Sequence, residues 1–191
     1  QYSAAMQARP PIQLRDLLDF APAKSVALEA VESITAIRKR FVTPGMSLGH
    51  VQANLVVLPA RVADAFEAYC RSNPRPCPLL ERLPAGDGRT SRIGELDVRT
   101  DLPRFRIYTA SGGRVVHTEV DDLQGVWRPD DVAFLLGCSF SLEVALLEAG
   151  LPVRHVEEGV NVPMFRTKRR TTSEGPFGGP LVVTMRPMRP E

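Results

Sequence analysis

VAFLLGCSFSLEVALLEAG, residues 132–150, is the stretch from which the fold is read. Val132 to Leu136 is an unbroken apolar run of strand length, with the look of a buried extended segment. Val144-Ala145-Leu146-Leu147-Glu148-Ala149-Gly150 is apolar-periodic and reads as a helix. Between them lies the small, polar Gly137-Cys138-Ser139-Phe140-Ser141-Leu142-Glu143. A strand, a tight turn and a helix in that order place backbone N–H groups, a thiol and two hydroxyls at a helix start, a position that attracts anions and lowers a thiol pKa. A plainer reading makes Cys138 a small buried hydrophobe and Ser139 or Ser141 an N-cap. The rest of the chain decides between them.

Upstream, residues 12–40 carry apolar side chains at three- and four-residue steps, broken at Pro22, and read as a pair of helices. Ser25 caps the second, and Arg38-Lys39-Arg40 suits its C-terminal end. Pro44-Gly45 is a turn and Val51 to Leu58 a strand ended by Pro59. Ala60 to Cys70 is a helix with Val62, Ala65, Phe66 and Tyr69 on one face, stopped by the proline-rich run 73–78. Gly86 to Thr90 reads as an exposed loop, and 104–108 with 114–118 as a hairpin around Ser111-Gly112-Gly113. Downstream, Val153 to Val156 reads as a strand, Lys168-Arg169-Arg170 and 173–179 as a mobile loop, and Leu181 to Met185 as a last strand. Strands and helices mixed without strict βαβ alternation give an α/β or α+β fold, a mixed sheet with flanking helices.

The bulk numbers narrow the function. The 191 residues suffice for one domain or two small subdomains, and 43% hydrophobic with 24% charged is ordinary globular composition. A net charge of +2, from 24 basic and 22 acidic residues, gives no global field for nucleic acid, and Lys168-Arg169-Arg170 lacks interleaved aromatics. No apolar stretch has transmembrane length, and residues 1–7 lack the pattern of a secretory signal. Three cysteines, Cys70, Cys77 and Cys138, suit a reducing, cytoplasmic compartment better than a disulfide framework. His50, His117 and His155 are scattered, with no metal-ligand spacing, and no phosphate-binding glycine motif occurs, so no cofactor is expected; a divalent metal stays open.

Five segments hold more polar chemistry than their core-like neighbours explain. His50, Gln52 and Asn54 alternate onto one strand face, where amides can hold a carboxylate or simply form a hydrogen-bonded polar face. Residues 97–106 pack Arg99, Arg104 and Arg106 with Asp97 and Asp101, a carboxylate clamp or a solvated charge network. The Cys138 turn is the third. In the fourth, residues 154–164, His155 and Glu157 at a strand end are capable of proton transfer near neutrality, with Asn161 beyond. The fifth, 178–187, opens on two glycines and ends in the cation Arg186 before Pro187.

Taken in order, HVQANLVVLP, NPRPCPLLE, DVRTDLPRFRIY, DDVAFLLGCSFSLEVALLEAGLPVRHVEEGVNVPMFRT and GPLVVTMRP resemble the YcsI-like (DUF1445) hydro-lyase family, which includes the D-glutamate cyclases. The resemblance runs from about Pro44 to Pro187, with residues 1–43 a divergent helical segment, 44–187 the hydro-lyase domain and 188–191 a tail. It implies an enzyme that removes water from a small carboxylic or amino acid, or closes D-glutamate into 5-oxo-D-proline. It also implies a two-subdomain fold of which this chain carries one part, because the family continues past the MRP segment into a region echoing the Gly-Cys turn. A natural short form, a chain completed by a partner and a cut chain are the alternatives.

Either reaction needs a cationic clamp for a carboxylate, a base, and an acid for the departing oxygen. The expected clamp is Arg99 with Arg104, supported by Gln52, Asn54, Asp101 and Asn161; His155 and Glu157 are the acid–base pair. Ser139 and the backbone after Cys138 stabilise oxyanion charge. Cys138 as a covalent nucleophile is the alternative to Cys138 as packing, and an unactivated carboxylate is a poor acyl donor. The competing class is a non-catalytic or half-site subunit in a homo-oligomer or with a partner chain that completes the cleft. No nucleic-acid or membrane partner is expected.

Overall fold

The computed structural model describes residues 49–111 and 114–188. The expected helices of 12–40, the Ser25 cap and the Pro44 turn lie outside the described residues. Within them the order is β1 (Ala53–Pro59), α1 (Ala60–Ser72), β2 (Leu79–Arg82), β3 (Phe105–Ser111), β4 (Arg114–Val120), β5 (Asp131–Gly137), a 3-10 turn (Ser139–Leu142), α2 (Glu143–Glu148), α3 (Arg154–Glu157), β6 (Met164–Arg170) and β7 (Pro180–Thr184). Antiparallel sheets with separate helices make this an α+β fold.

The 132–136 run is the centre of the molecule. β5 is the middle strand of a three-stranded antiparallel sheet, order β1–β5–β2. Its side chains alternate between two cores, which is why the run is apolar at every position. Val132 and Phe134 pack with Ala63, Phe66 and Cys70 of α1 on one face. Ala133 and Leu135 pack with Leu83 and Val98 on the other. Phe134 is fully buried and meets Phe66 edge-on at 4.9 Å between centroids. Burying a side chain of that size stabilises by roughly 1.5–3 kcal/mol.

The expected α1 is present, with Phe66 buried and Tyr69 packed against the core as expected, while Ala63 and Cys70 rather than Val62 and Ala65 complete the buried row. Beyond Ser72 the chain is held by Asn73, whose Nδ2 donates to the carbonyls of Tyr69 and Thr172, both at 2.8 Å, while its Oδ1 accepts from the N–H of Thr172. One buried amide thus satisfies a helix end and anchors the 170s segment. Strand β2, which gave no signal beside the prolines, pairs with β5 across an irregularity between Leu79 and Glu81. The 86–90 loop is not wholly exposed, because Thr90 is buried and its N–H donates to Leu96 O.

Two expectations fail together downstream. Residues 153–156 form no strand; they enter the one-turn helix α3, closed by Val156 N–H and Glu157 N–H to Val153 O. Gly159, at φ +64°, ends it with paired bonds from Gly159 N–H to Val156 O and from Val160 N–H to His155 O, a Schellman closure. Gly150, at φ +73°, closes α2 the same way through Leu147 O and Leu146 O. Lys168-Arg169-Arg170, expected in a mobile loop, is the end of β6, which forms a hairpin with β7. The expected hairpin β3–β4 is present in full register from Phe105–Val120 to Ser111–Arg114.

Candidate functional site

The turn after β5 is built by the start of β1. Cys138 N–H donates to Gln52 O at 2.9 Å, and Ser141 Oγ accepts from Gln52 N–H at 2.8 Å. Gln52 therefore serves the site through its backbone. Neither Ser139 nor Ser141 makes a side-chain capping bond, and the helix start is a single 3-10 turn followed by the six-residue α2. The field of so short a helix is weak, so the side chains around the turn carry the electrostatics.

Glu143, the first residue of α2, is 1% exposed. Its Oε1 is 2.9 Å from Nε2 of His155, which is 3% exposed on α3. The same oxygen accepts from Arg186 Nε at 2.9 Å and Arg186 Nη2 at 2.5 Å. Arg186 follows β7 and is nearly buried. Its outer edge meets two hydroxyls: Nη2 donates to Ser139 Oγ at 3.2 Å and Nη1 to Thr184 Oγ1 at 3.1 Å. Those hydroxyl oxygens are 3.4 Å apart. Phe140 packs against both ends, 6.1 Å from the His155 ring and 5.9 Å from the Arg186 guanidinium carbon.

The cluster is under-satisfied. His155 Nε2 and Glu143 Oε1 are at hydrogen-bonding distance, but the imidazole is not aligned for a hydrogen bond. Neither ring nitrogen has an aligned partner within the described residues, and neither does Glu143 Oε2. Buried polar atoms are nearly always satisfied, so a carboxylate and an imidazole left short in one cluster mark a place where a further group binds or a proton moves.

Of the residues singled out in the sequence, the structure brings Cys138, Ser139 and His155 to this cluster, with Gln52 bracing the turn. Glu157 is exposed. It is not the partner of His155; two positions along a helix point to opposite sides. Arg99 donates Nε and Nη2 to Asp97 at 2.8 and 2.6 Å, and this guanidinium holds the Asp97 carboxyl below its usual range. Asp101 shapes the same loop, Oδ2 accepting from Asp97 N–H and Oδ1 from Thr100 Oγ1. Arg104 faces Glu119 at 3.5 Å and Asp121 at 3.7 Å on the β3–β4 hairpin. Asn54 is exposed on β1, and Asn161 Oδ1 accepts from the adjacent Val162 N–H.

Glu143, Thr184 and Arg186 were missed. Arg186 left a trace as the cation ending the fifth segment. Glu143 left one as an acid opening an apolar helix, but nothing local in the sequence said that it faces inward. A shallow depression of about 330 Å³ near the end of α1, lined by Cys70, Arg71, Pro74, Pro78 and Leu79, contains none of these groups. Burial raises the Cys70 thiol to about 11 and pushes Cys77 up as well, so neither is a ready nucleophile. Within the described residues no three His, Cys, Asp or Glu side chains gather as a metal site, and no helix is long and apolar enough to cross a membrane.

The family model described as D-glutamate cyclase matches residues 132–191, which include Cys138, Glu143, His155 and Arg186. A protein of Verminephrobacter eiseniae named "Putative hydro-lyase" is 51% identical over 162 residues, 84% of this chain and 58% of that protein. A "Putative hydro-lyase" of Bordetella pertussis is 52% identical over 148 residues, 77% of this chain and 52% of its own length. One of Mycolicibacterium gilvum is 48% identical over 167 residues, 86% of this chain and 63% of its own. The chain thus spans between half and two thirds of these relatives.

Proposed function

We propose that this chain, whose residues 132–191 match the D-glutamate cyclase family model and which is about half identical to proteins named putative hydro-lyases, serves a water-eliminating reaction on a small carboxylic or amino acid. The member of that class best matched by the family is closure of D-glutamate to 5-oxo-D-proline; dehydration of a hydroxy acid is the other. In the closure the amine nitrogen attacks the γ-carboxyl carbon, a C–N bond forms and a C–O bond breaks. The ammonium gives up two protons, which leave with the carboxyl oxygen as water.

One observation carries this reading: the buried Glu143–His155 pair, with Glu143 Oε2 and His155 Nδ1 both unpartnered within the described residues. Such a pair can accept a proton from the ammonium and return one to the departing oxygen. It takes the role expected of His155 with Glu157. In this reading the Ser139 hydroxyl, at the edge of the cluster beside Arg186, donates to the developing oxyanion. Cys138 contributes the turn, and its thiol forms no bond to substrate. No cofactor enters the proposed reaction.

The test is incubation of the purified chain with D-glutamate, with 5-oxoproline followed by chromatography, alone and with any co-purifying protein. Product that disappears in Glu143→Gln supports the reading; no product under either condition overturns it for this chain.

A second reading, that the cleft is completed by further polypeptide from another copy or a partner chain, is favoured by the β6–β7 hairpin. Met164, Phe165 and Val182 there are 61%, 50% and 54% exposed. Met164 and Val182 lie on one face of the hairpin and Phe165 on the other, so both faces offer apolar surface to further polypeptide. Native mass decides it: a monomer at working concentration, with the fold intact, argues against it.

A further inference from the structure

We propose that Arg186, with the hydroxyls of Ser139 and Thr184, is the binding site for a carboxylate group of the substrate, and that Glu143 holds the guanidinium in its place until that carboxylate arrives. The identity of the ligand as substrate rests on the function proposed above; the site itself rests on geometry.

An Arg–carboxylate pair at its best is a fork, two nitrogens on two oxygens. Here Nε and Nη2 converge on Oε1 alone, and Oε2 is left in the interior without an aligned partner. Glu143 therefore occupies one side of the guanidinium without completing the fork. The other side carries Nη1 and Nη2, each donating to a hydroxyl rather than to an anion. Hydroxyls both accept and donate, so they can turn their O–H groups outward when an anion displaces them. Two guanidinium N–H groups and two O–H groups, within one patch, supply the four donors that two carboxylate oxygens use. The patch is reachable, because Thr184 is exposed and Ser139 half-buried, whereas Glu143 and His155 lie behind it.

This arrangement also links binding to chemistry. A ligand carboxylate on the outer edge draws the guanidinium away from Glu143 Oε1. The carboxylate of Glu143 is then left 2.9 Å from Nε2 of His155, released from the guanidinium and able to take up a proton. The clamp expected of Arg99 and Arg104 is thereby assigned to a cation that touches the acid–base pair directly.

The experiment uses the whole chain and glutarate, a dicarboxylate without an amine that cannot cyclise, with the neutral diamide glutaramide as control at matched ionic strength. Isothermal titration calorimetry is expected to give saturable glutarate binding and none for glutaramide. Arg186→Lys should weaken glutarate by at least about tenfold, since an ammonium cannot reproduce the fork. The double variant Ser139→Ala/Thr184→Val, which leaves the Arg186–Glu143 pair intact and so keeps the fold, should weaken it several-fold. Absence of glutarate binding, or binding unchanged in the double variant, overturns the site. Glutarate binding lost in these variants in a chain that makes no 5-oxoproline would uphold the site and reject the cyclase reading. Turnover with an unchanged KM in Arg186→Lys would do the reverse.

Discussion

Replacing Arg186 by Met should unfold the chain more readily than loss of a surface arginine would, and the amount can be worked from the cluster. Glu143 is 1% exposed and Arg186 places two nitrogens on its Oε1, at 2.9 and 2.5 Å. Two charges about 4 Å apart attract by about 4 kcal/mol at an effective dielectric of about 20. Removal of one partner from a buried pair typically costs about 3–5 kcal/mol, because the other charge stays behind unpaired. The Arg186 side chain keeps 14% exposure, so solvent screens part of the loss and the lower end, about 3 kcal/mol, is expected. That is a large share of a typical domain's stability of about 5–15 kcal/mol. Urea unfolding of wild type, Arg186→Met, Glu143→Leu and the double variant measures it. The double variant removes both partners and leaves no unpaired carboxylate or guanidinium in the cluster, and should return to within about 1 kcal/mol of wild type. An Arg186→Met cost below about 1 kcal/mol, or no recovery on adding Glu143→Leu, would refute the account of a buried carboxylate held by one cation.

Three other outcomes are expected. Phe134→Ala removes a fully buried ring that packs on Phe66 at 4.9 Å, and should lower the urea midpoint by an amount equal to about 4 kcal/mol with little change in slope. Cys70 is 1% exposed with its thiol raised to about 11 by burial, so at pH 8 iodoacetamide should label Cys138 before Cys70 by mass mapping; equal labelling of both in folded protein would contradict the packing of α1 on β5. Asp97 is held below its ordinary value of 3.8 by Arg99, so its contribution is present above that value and lost as pH falls through the lower folded one. Asp97→Asn should therefore be destabilising at neutral pH, with the gap to wild type closing on acidification; a gap that widens toward low pH would show the sign to be wrong.

Much of the frame was legible because its signals are local. The apolar run 132–136, bounded by Asp131 and Gly137, sufficed to locate the central strand, and Ser111-Gly112-Gly113 between alternating segments located the β3–β4 hairpin. Strand β2 was hidden since Leu79 to Arg82 is only four residues beside three prolines, and its strand state comes from pairing with β5. Lys168 to Arg170 resembled a loop by charge alone, yet backbone pairing with Pro180 and its neighbours makes it strand.

By itself the sequence determined the central strand, the turn at Cys138, the chemical kinds of residue available and the family they resemble. Which of those residues meet was decided only by tertiary structure. His155 and Glu157 would share a face if residues 153–156 were extended, where side chains alternate with a period of two. The Schellman closure at Gly159 makes that segment a helical turn instead, so Glu157 faces solvent and His155 turns inward to Glu143. Arg186 then arrives from the end of β7, 43 positions beyond its carboxylate. A helix and a strand end so far apart along the chain carry no shared periodicity, and only the packing of one against the other brings the charges together.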